Sequence, residues 1–477
     1  MRQFRRPFRR ITAGAHCAVS ALLLAAVLTA CTGSPARAPL EPSSTLAQFD
    51  ARRLDGLPGL PPFSAGWDQS QWLAAALQLN PQLSEQRAAV AVAAATERTA
   101  AEHPNPGMQL FAEYLTSAAQ SGAWLYGLSL DFLLRQPGER ARARQHAAVQ
   151  TALAQSDLAD SIWQVRSAVR QALLDAVSAQ DETVLLQSLL AQRQAQLAGD
   201  RARLRLGDIA STQVLADELE LSRAQQRRQQ SRARGVDAVA QLAAAVGVPA
   251  AALDAVALRW DDWAAIGTLT ISNPRQWRTE ALVARPQIVH ALREYDLAEI
   301  GLQSEVAKRW PQVHITPAYA WGGDGVREDT FTDIASESAL GVSFELPLFN
   351  QHQGAIGEAV ARRAAAGEHL KVVQAQIFEQ IDRAELAWPA AQQAWHDARS
   401  LAEIAERQRQ AEQRALTAGA SERGSLLAAQ IAATEAQLSV LQAAYAAQVV
   451  FGALEDAYRR PLQGAESQWP PNAAPHS

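Results

Sequence analysis

The chain carries two cysteines and two lysines in 477 residues, and each scarcity closes off chemistry. Cys17 lies in an N-terminal segment with the marks of a removed signal, so the mature chain keeps only Cys31. One cysteine supports neither a disulfide framework nor a CxxC redox motif. Neither Lys308 nor Lys371 follows a glycine, as a P-loop requires, and no GxSxG or HExxH occurs. The histidines are scattered. The closest two, His352 and His369, are 17 residues apart, and His103 next to Pro104 reads as a loop residue. No sequence-local metal site results. The sequence therefore offers no catalytic residue, no cofactor site and no metal centre. Proline is also missing from a long stretch, between Pro137 and Pro249.

Residues 1–30 hold five arginines and no acid, followed by an apolar run from Ile11 to Leu28 and then "LTAC". A basic head, an apolar stretch short for a transmembrane helix and small residues before a cleavage point describe a secretory signal. Leu28-Thr29-Ala30-Cys31 resembles the lipobox of bacterial lipoproteins, which implies cleavage before Cys31 and acylation of its sulfur. An ordinary signal or a single anchoring helix is the alternative. Thr32 after the cysteine, by the same resemblance, implies sorting to the outer membrane. Loss of the five arginines takes the formal charge from −5 to −10. A net-acidic body argues against nucleic-acid binding. Residues 31–64, rich in Pro, Ser, Ala and Gly, read as a lipid-anchored tether, and 463–477 as a disordered tail.

Between tether and tail the chain repeats itself. "NPQLSEQRAAVAVAAATERTAAEHPNP" from Asn80 matches "RPQIVHALREYDLAEIGLQSEVAKRWPQ" from Arg285, and "RLGDIASTQVLADELELSRAQ" from Arg205 matches "TAGASERGSLLAAQIAATEAQ" from Thr417. Offsets of 205, about 214 and 212 describe one duplication, too long in period for a solenoid. The expected halves are residues 65–265 and 266–462. Each reads as helix, two strands, very long helix, glycine turn and second long helix. In the first half the strands fall at about 107–134 and the long helices at about 138–205 and 211–247. In the second they fall at about 311–349, 354–416 and 422–460. A helix over 138–205 is roughly 100 Å long at 1.5 Å per residue, and its mixed Ala, Leu, Gln and Arg pattern calls for helical partners along its length. Pro389 in the second half predicts a kink there.

The strands alternate with period 2. Trp124, Tyr126, Leu128, Leu130, Phe132 and Leu134 share one face, and Gly127, Ser129 and Asp131, with Leu133, the other. Val313, Ile315, Tyr319 and Trp321 oppose Gln312, His314 and Thr316. In the segment Ala339–Ala366, Leu340, Val342, Phe344, Leu346 and Leu348 oppose Gly341, Ser343, Glu345 and Pro347. Aromatic-rich apolar faces backed by small and polar residues fit transmembrane β-strands; a soluble sandwich has the same alternation. Four strands cannot close a barrel, and lipid does not tolerate open edges, so several chains would have to pool their strands. With the aromatic faces toward lipid, Glu113, Asp131 and Glu345 would face the lumen and favour cations.

The strand pair, long helix, glycine turn and long helix, repeated behind a lipobox, resemble the TolC-type outer-membrane efflux factors. "ELPLFNQHQGAIGEAVARR" is most similar to the heavy-metal, CzcC/CusC-like branch. The resemblance covers roughly residues 65–460. It implies a mainly α fold with a membrane β portion: a homotrimer whose twelve pooled strands form a barrel in outer-membrane lipid, continued by a periplasmic helical barrel. It also implies a periplasmic adaptor and an inner-membrane RND-type pump as partners. The helix turns would meet at the periplasmic tip, where Gly207, Asp208, Gly419, Glu422 and Arg423 would shape the gate. Where the family has an aspartate ring after the second turn, this chain has Ser425 and Ala428. "RQPGE" and "NQHQG" would mark the passage of the wall from lipid to periplasm. Heavy-metal cations and organic molecules are the competing cargoes. A periplasm-spanning coiled-coil lipoprotein is the non-transport alternative.

Overall fold

The computed structural model describes residues 39–61, 66–117, 120–254, 257–260, 262–268, 274–322 and 336–462. The signal segment, Cys31 and the tail 463–477 lie outside them, as does the side chain of Trp124. Two units are distinguished, up to Arg52 and from Arg53 onward. Among its described residues the first has the helix α1 (Pro42–Asp50), with Pro42 at its first turn. The second begins inside the stretch expected to be a tether. Leu54 is buried in the core, and Leu57 and Leu60 pack against it. The folded body thus starts ahead of residue 65, because these leucines cover apolar surface that would otherwise meet water.

The second unit runs α2 (Gln69–Leu79), α3 (Pro81–Ala100), β1 (Gly107–Ser117), β2 (Gln120–Leu134), α4 (Glu139–Leu206) and α5 (Ser211–Val246). It then repeats the order with α6 (Pro274–Ala284), α7 (Pro286–Ala307), β3 (Val313–Gly322), β4 (Glu337–Phe344), α8 (Gln353–Thr417) and α9 (Arg423–Tyr458). Local chemistry sets several boundaries. Asp68 and Gln71 form a reciprocal capping box at α2. Asn80 caps α3 ahead of Pro81. α4 follows Gly138 at φ +78°, and α8 follows His352 at φ +58°, so one half places a histidine in the left-handed region where the other has glycine. α8 continues as helix through Pro389, the expected kink site; the proline removes one amide donor, and neighbouring Trp388 is buried against Phe451 at 5.3 Å.

Equivalent hydrogen bonds hold the two halves. Asn80 Nδ2 donates to the Ala245 carbonyl at 2.7 Å, and Arg285 Nη1 donates to the Ala457 carbonyl at 3.0 Å. Both accepting carbonyls precede a left-handed helix end, Gly247 in one half and Arg459 in the other. Val248 N–H reaches the Ala243 carbonyl and Arg460 N–H the Glu455 carbonyl, closing the same C-terminal motif. Burial lowers the Arg285 guanidinium to about 10. The main core lies where these ends meet. Trp67, Trp72, Leu83, Val169, Leu173, Leu242, Ile381, Phe451 and Leu454 are all buried in it. Beyond that core, α5 buries Asp217, Ala224, Ser231 and Ala238 toward its neighbours, a seven-residue spacing of mostly small side chains that lets paired helices approach closely. α9, the most apolar helix, packs along both α8 and α4.

Candidate translocation pathway

The four strands form one antiparallel sheet in the order β1-β2-β3-β4. Among the described residues, the outer edges of β1 and β4 have no partner strand. Register assigns the faces. Asp131 lies opposite Gly107 and Leu125 opposite Glu113, so both acids share one face. The neighbours of that face on β3 are His314, Thr316, Ala318 and Ala320, and on β4 Ser343, Gly341, Ala339 and Glu337. Glu345 continues the β4 parity, and its N–H donates to the Gln312 carbonyl at 3.3 Å. Glu113, Asp131 and Glu345 therefore occupy a single face. The opposite face carries Met108, Leu110, Tyr114, Tyr126, Phe132, Tyr319, Trp321, Leu340, Val342 and Phe344, all exposed. Tyr126 and Tyr319 both stack on Trp321, with centroids at 6.4 and 5.9 Å.

Two members of the polar face escaped the choice of site residues. His314 Nδ1 is 3.1 Å from both Asp131 carboxylate oxygens, and Thr316 Oγ1 donates to Asp131 at 3.4 Å. Alternation already placed His314 and Thr316 on that face; only the register shows that they meet Asp131. Glu337 adds a fourth acid, at the far end of β4 from Glu345. Phe111, Leu125 and Leu133 are large apolar residues on the same face. The Phe111 ring fills the place of a side chain at Gly127, where a Cβ would come within 2.1 Å of the ring. Glu345 lines a cleft of about 460 Å³ at the switch into α8, together with Gln136, Lys308, Trp310 and His352. Gln136 Nε2 donates to the Trp310 carbonyl at 2.6 Å, tying the switch into α4 to the segment between α7 and β3.

The helix turns end the other way. Gly207 at φ +80° and Gly419 at φ +72° close matching motifs, with Asp208 N–H on the Arg203 carbonyl and Ala420 N–H on the Ala415 carbonyl. Asp208, Glu422 and Arg423 are exposed. Glu422 occupies the N-cap of α9 without a side-chain capping bond. Among the described residues Glu422 and Arg423 form no ion pair, and no group of three His, Cys, Asp or Glu side chains is placed to hold a metal.

Residues 277–457 match the family model described as outer membrane efflux protein. No curated protein matches the chain. Solved structures do. The open-state MtrE outer membrane channel of Neisseria gonorrhoeae is 15% identical with a TM-score of 0.68, over 92% of this chain and 100% of its own. The outer membrane protein VceC of Vibrio cholerae is 17% identical with a TM-score of 0.65, over 82% of this chain and 95% of its own. CusC is 15% identical with a TM-score of 0.63, over 90% of this chain and 99% of its own. The chain has the fold of the outer-membrane efflux channels, and residues 277–457 carry that family's sequence signature.

Proposed function

We propose that this chain is the outer-membrane channel of a tripartite efflux system, passively conducting metal cations delivered by an inner-membrane pump and a periplasmic adaptor. Three copies pool their strands in a twelve-stranded barrel, since the free edges of β1 and β4 need partners and lipid supplies none. The aromatic face meets lipid and the polar face lines the lumen. An acyl chain on Cys31 ties the chain to the same membrane. Gly207, Asp208, Gly419, Glu422 and Arg423 stand at the periplasmic mouth, where the unpaired Glu422 and Arg423 are free to pair between protomers.

The observation that carries the reading is the gathering of Glu113, Asp131, Glu337 and Glu345 on one sheet face, with most of the aromatics on the other. Like carboxylates around a water-filled pore draw in cations and repel anions. Asp131 lies in the row of Thr316 and Gly341, and Glu345 comes four residues farther along β4. Tilted barrel strands require such an offset between equivalent positions two strands apart, so the two acids suit rings at a common height. Cargo is argued from this charge, because MtrE and CusC resemble the chain about equally.

Reversal potentials in a salt gradient test the electrostatics. The wild type is expected to prefer cations, and the Asp131→Asn/Glu345→Gln variant to lose part of that preference. Equal anion and cation permeability in the wild type refutes it. Cargo is tested separately: deletion is expected to sensitise cells to copper, zinc, cobalt or cadmium rather than to dyes and antibiotics.

A further inference from the structure

We infer that Asp200 and Asp217 share one proton and act as a pH-dependent clasp on the turn end of the α4–α5 hairpin, tightening it in acid and releasing it toward neutrality. Asp217 lies in the close-packed seam of α5, at seven-residue spacing with the buried Ala224, Ser231 and Ala238, and it is only 5% exposed. Its Oδ1 accepts from Gln196 Nε2 at 3.1 Å. Its Oδ2 is buried with no donor, and the Asp200 carboxyl lies within hydrogen-bonding reach of this side chain. Two carboxylates within such reach both accept and neither donates, so the arrangement is satisfied only when one of them carries a proton. Burial first, and then Asp200, push Asp217 up from 3.8 to about 6, against the pull of Arg193.

The surrounding charges leave this carboxyl unneutralised. Arg193 is turned to Glu435 of α9 at 2.8 Å. Arg203 pairs with Asp200 at 3.3 Å, and Arg201 with Glu218 at 2.7 Å. A carboxyl that titrates higher in the fold than in the open chain stabilises the fold at low pH, and that contribution is lost as pH rises through the folded value. The pair sits less than three helical turns before Gly207 on α4 and after it on α5, so the segment it secures is the turn itself.

The second hairpin lacks the device. At the offset that relates Gly207 to Gly419, Asp200 corresponds to Glu412 and Asp217 to Ala429. Glu412 there accepts from the Ser421 hydroxyl at 2.6 Å, an ordinary donor–acceptor bond. Acid is therefore expected to stiffen one turn of each protomer and leave the other unchanged. The bearing on channel opening rests on the reading that these turns form the periplasmic mouth; the clasp itself does not.

Hydrogen exchange on the full-length protein in detergent decides it, with rates referred to intrinsic exchange at each pH. Titration at about 6 rather than 3.8 gives about tenfold greater protection of residues 203–215 at pH 5 than at pH 7.5. Residues 414–425 are expected to show no such change. In Asp217→Asn and in Asp200→Asn, one partner donates at every pH, so protection of residues 203–215 is expected to be flat with pH. A flat wild-type profile, a variant that keeps the wild-type response, or protection at pH 7.5 that follows added magnesium instead of acidity would each overturn the proposal.

Discussion

Replacing Glu455 by glutamine should unbalance the charge at the middle of the molecule. Glu455 is 2% exposed and faces two arginines that are nearly as buried, Arg166 at 3.1 Å and Arg170 at 3.3 Å. It also accepts the Leu462 N–H at 2.8 Å. Arg170 donates to the Gln448 carbonyl and side chain at 3.0 and 2.9 Å, and lies over Trp260. Its Nη1 would come within 2.3 Å of any Cβ at position 452, so Gly452 is what lets the guanidinium reach Glu455. Glutamine keeps the size and one acceptor but removes a negative charge that two buried cations share. Breaking a buried pair from one side costs about 3–5 kcal/mol, because the remaining charge stays desolvated. Denaturant unfolding followed by helical circular dichroism, in detergent, reads the loss. A second variant isolates the cause. Adding Arg166→Met to Glu455→Gln removes the surplus positive charge, so the double variant should lose less than the sum of the singles, by about 1–3 kcal/mol. A single-variant cost under about 1 kcal/mol, or strict additivity in the cycle, refutes the charge-balance argument.

Gly247→Ala should destabilise the folded unit by about 2–5 kcal/mol, since φ is +90° and a Cβ would meet the Leu79 carbonyl at 2.7 Å and Asn80 Cα at 2.9 Å. Gly207→Ala, at φ +80° in open space, should cost only about 1–2 kcal/mol; equal losses at the two sites in urea melts would show that packing against α2 and α3 is not the cause. Gly127→Val should displace the Phe111 ring from the sheet and reduce the heat-modifiable, barrel-containing species on gels; unaltered migration would contradict the β1–β2 register. Cys31→Ser should abolish incorporation of labelled fatty acid while leaving a conducting channel, because the barrel also anchors itself; retained label would place the acyl group elsewhere.

Elements that depend on nearest neighbours are legible in the amino-acid order. A pleated strand turns every second residue the same way, so "SALGVSFELPL" states both that it is a strand and which residues share its faces. A long proline-free run of Ala, Leu, Gln and Arg favours helix at nearly every step, so α4 could be expected before its partners were known. Gly207 and Gly419 mark helix ends because only they take a left-handed turn without strain. Duplication doubles each of these signals. Pairing across a hundred residues or more is a different matter, since nothing local in Asp131 specifies His314, nor in Glu455 specifies Arg166. The body's start at Leu54 rather than beyond residue 64 has the same origin: in a Pro- and Gly-rich stretch, only a waiting apolar surface makes a leucine part of the core. Asp217 is the sharpest instance. By sequence it is one acid among several on a charged helix, and its isolation comes entirely from the close approach of α4, which removes water from the carboxyl and supplies Asp200 in place of a cation.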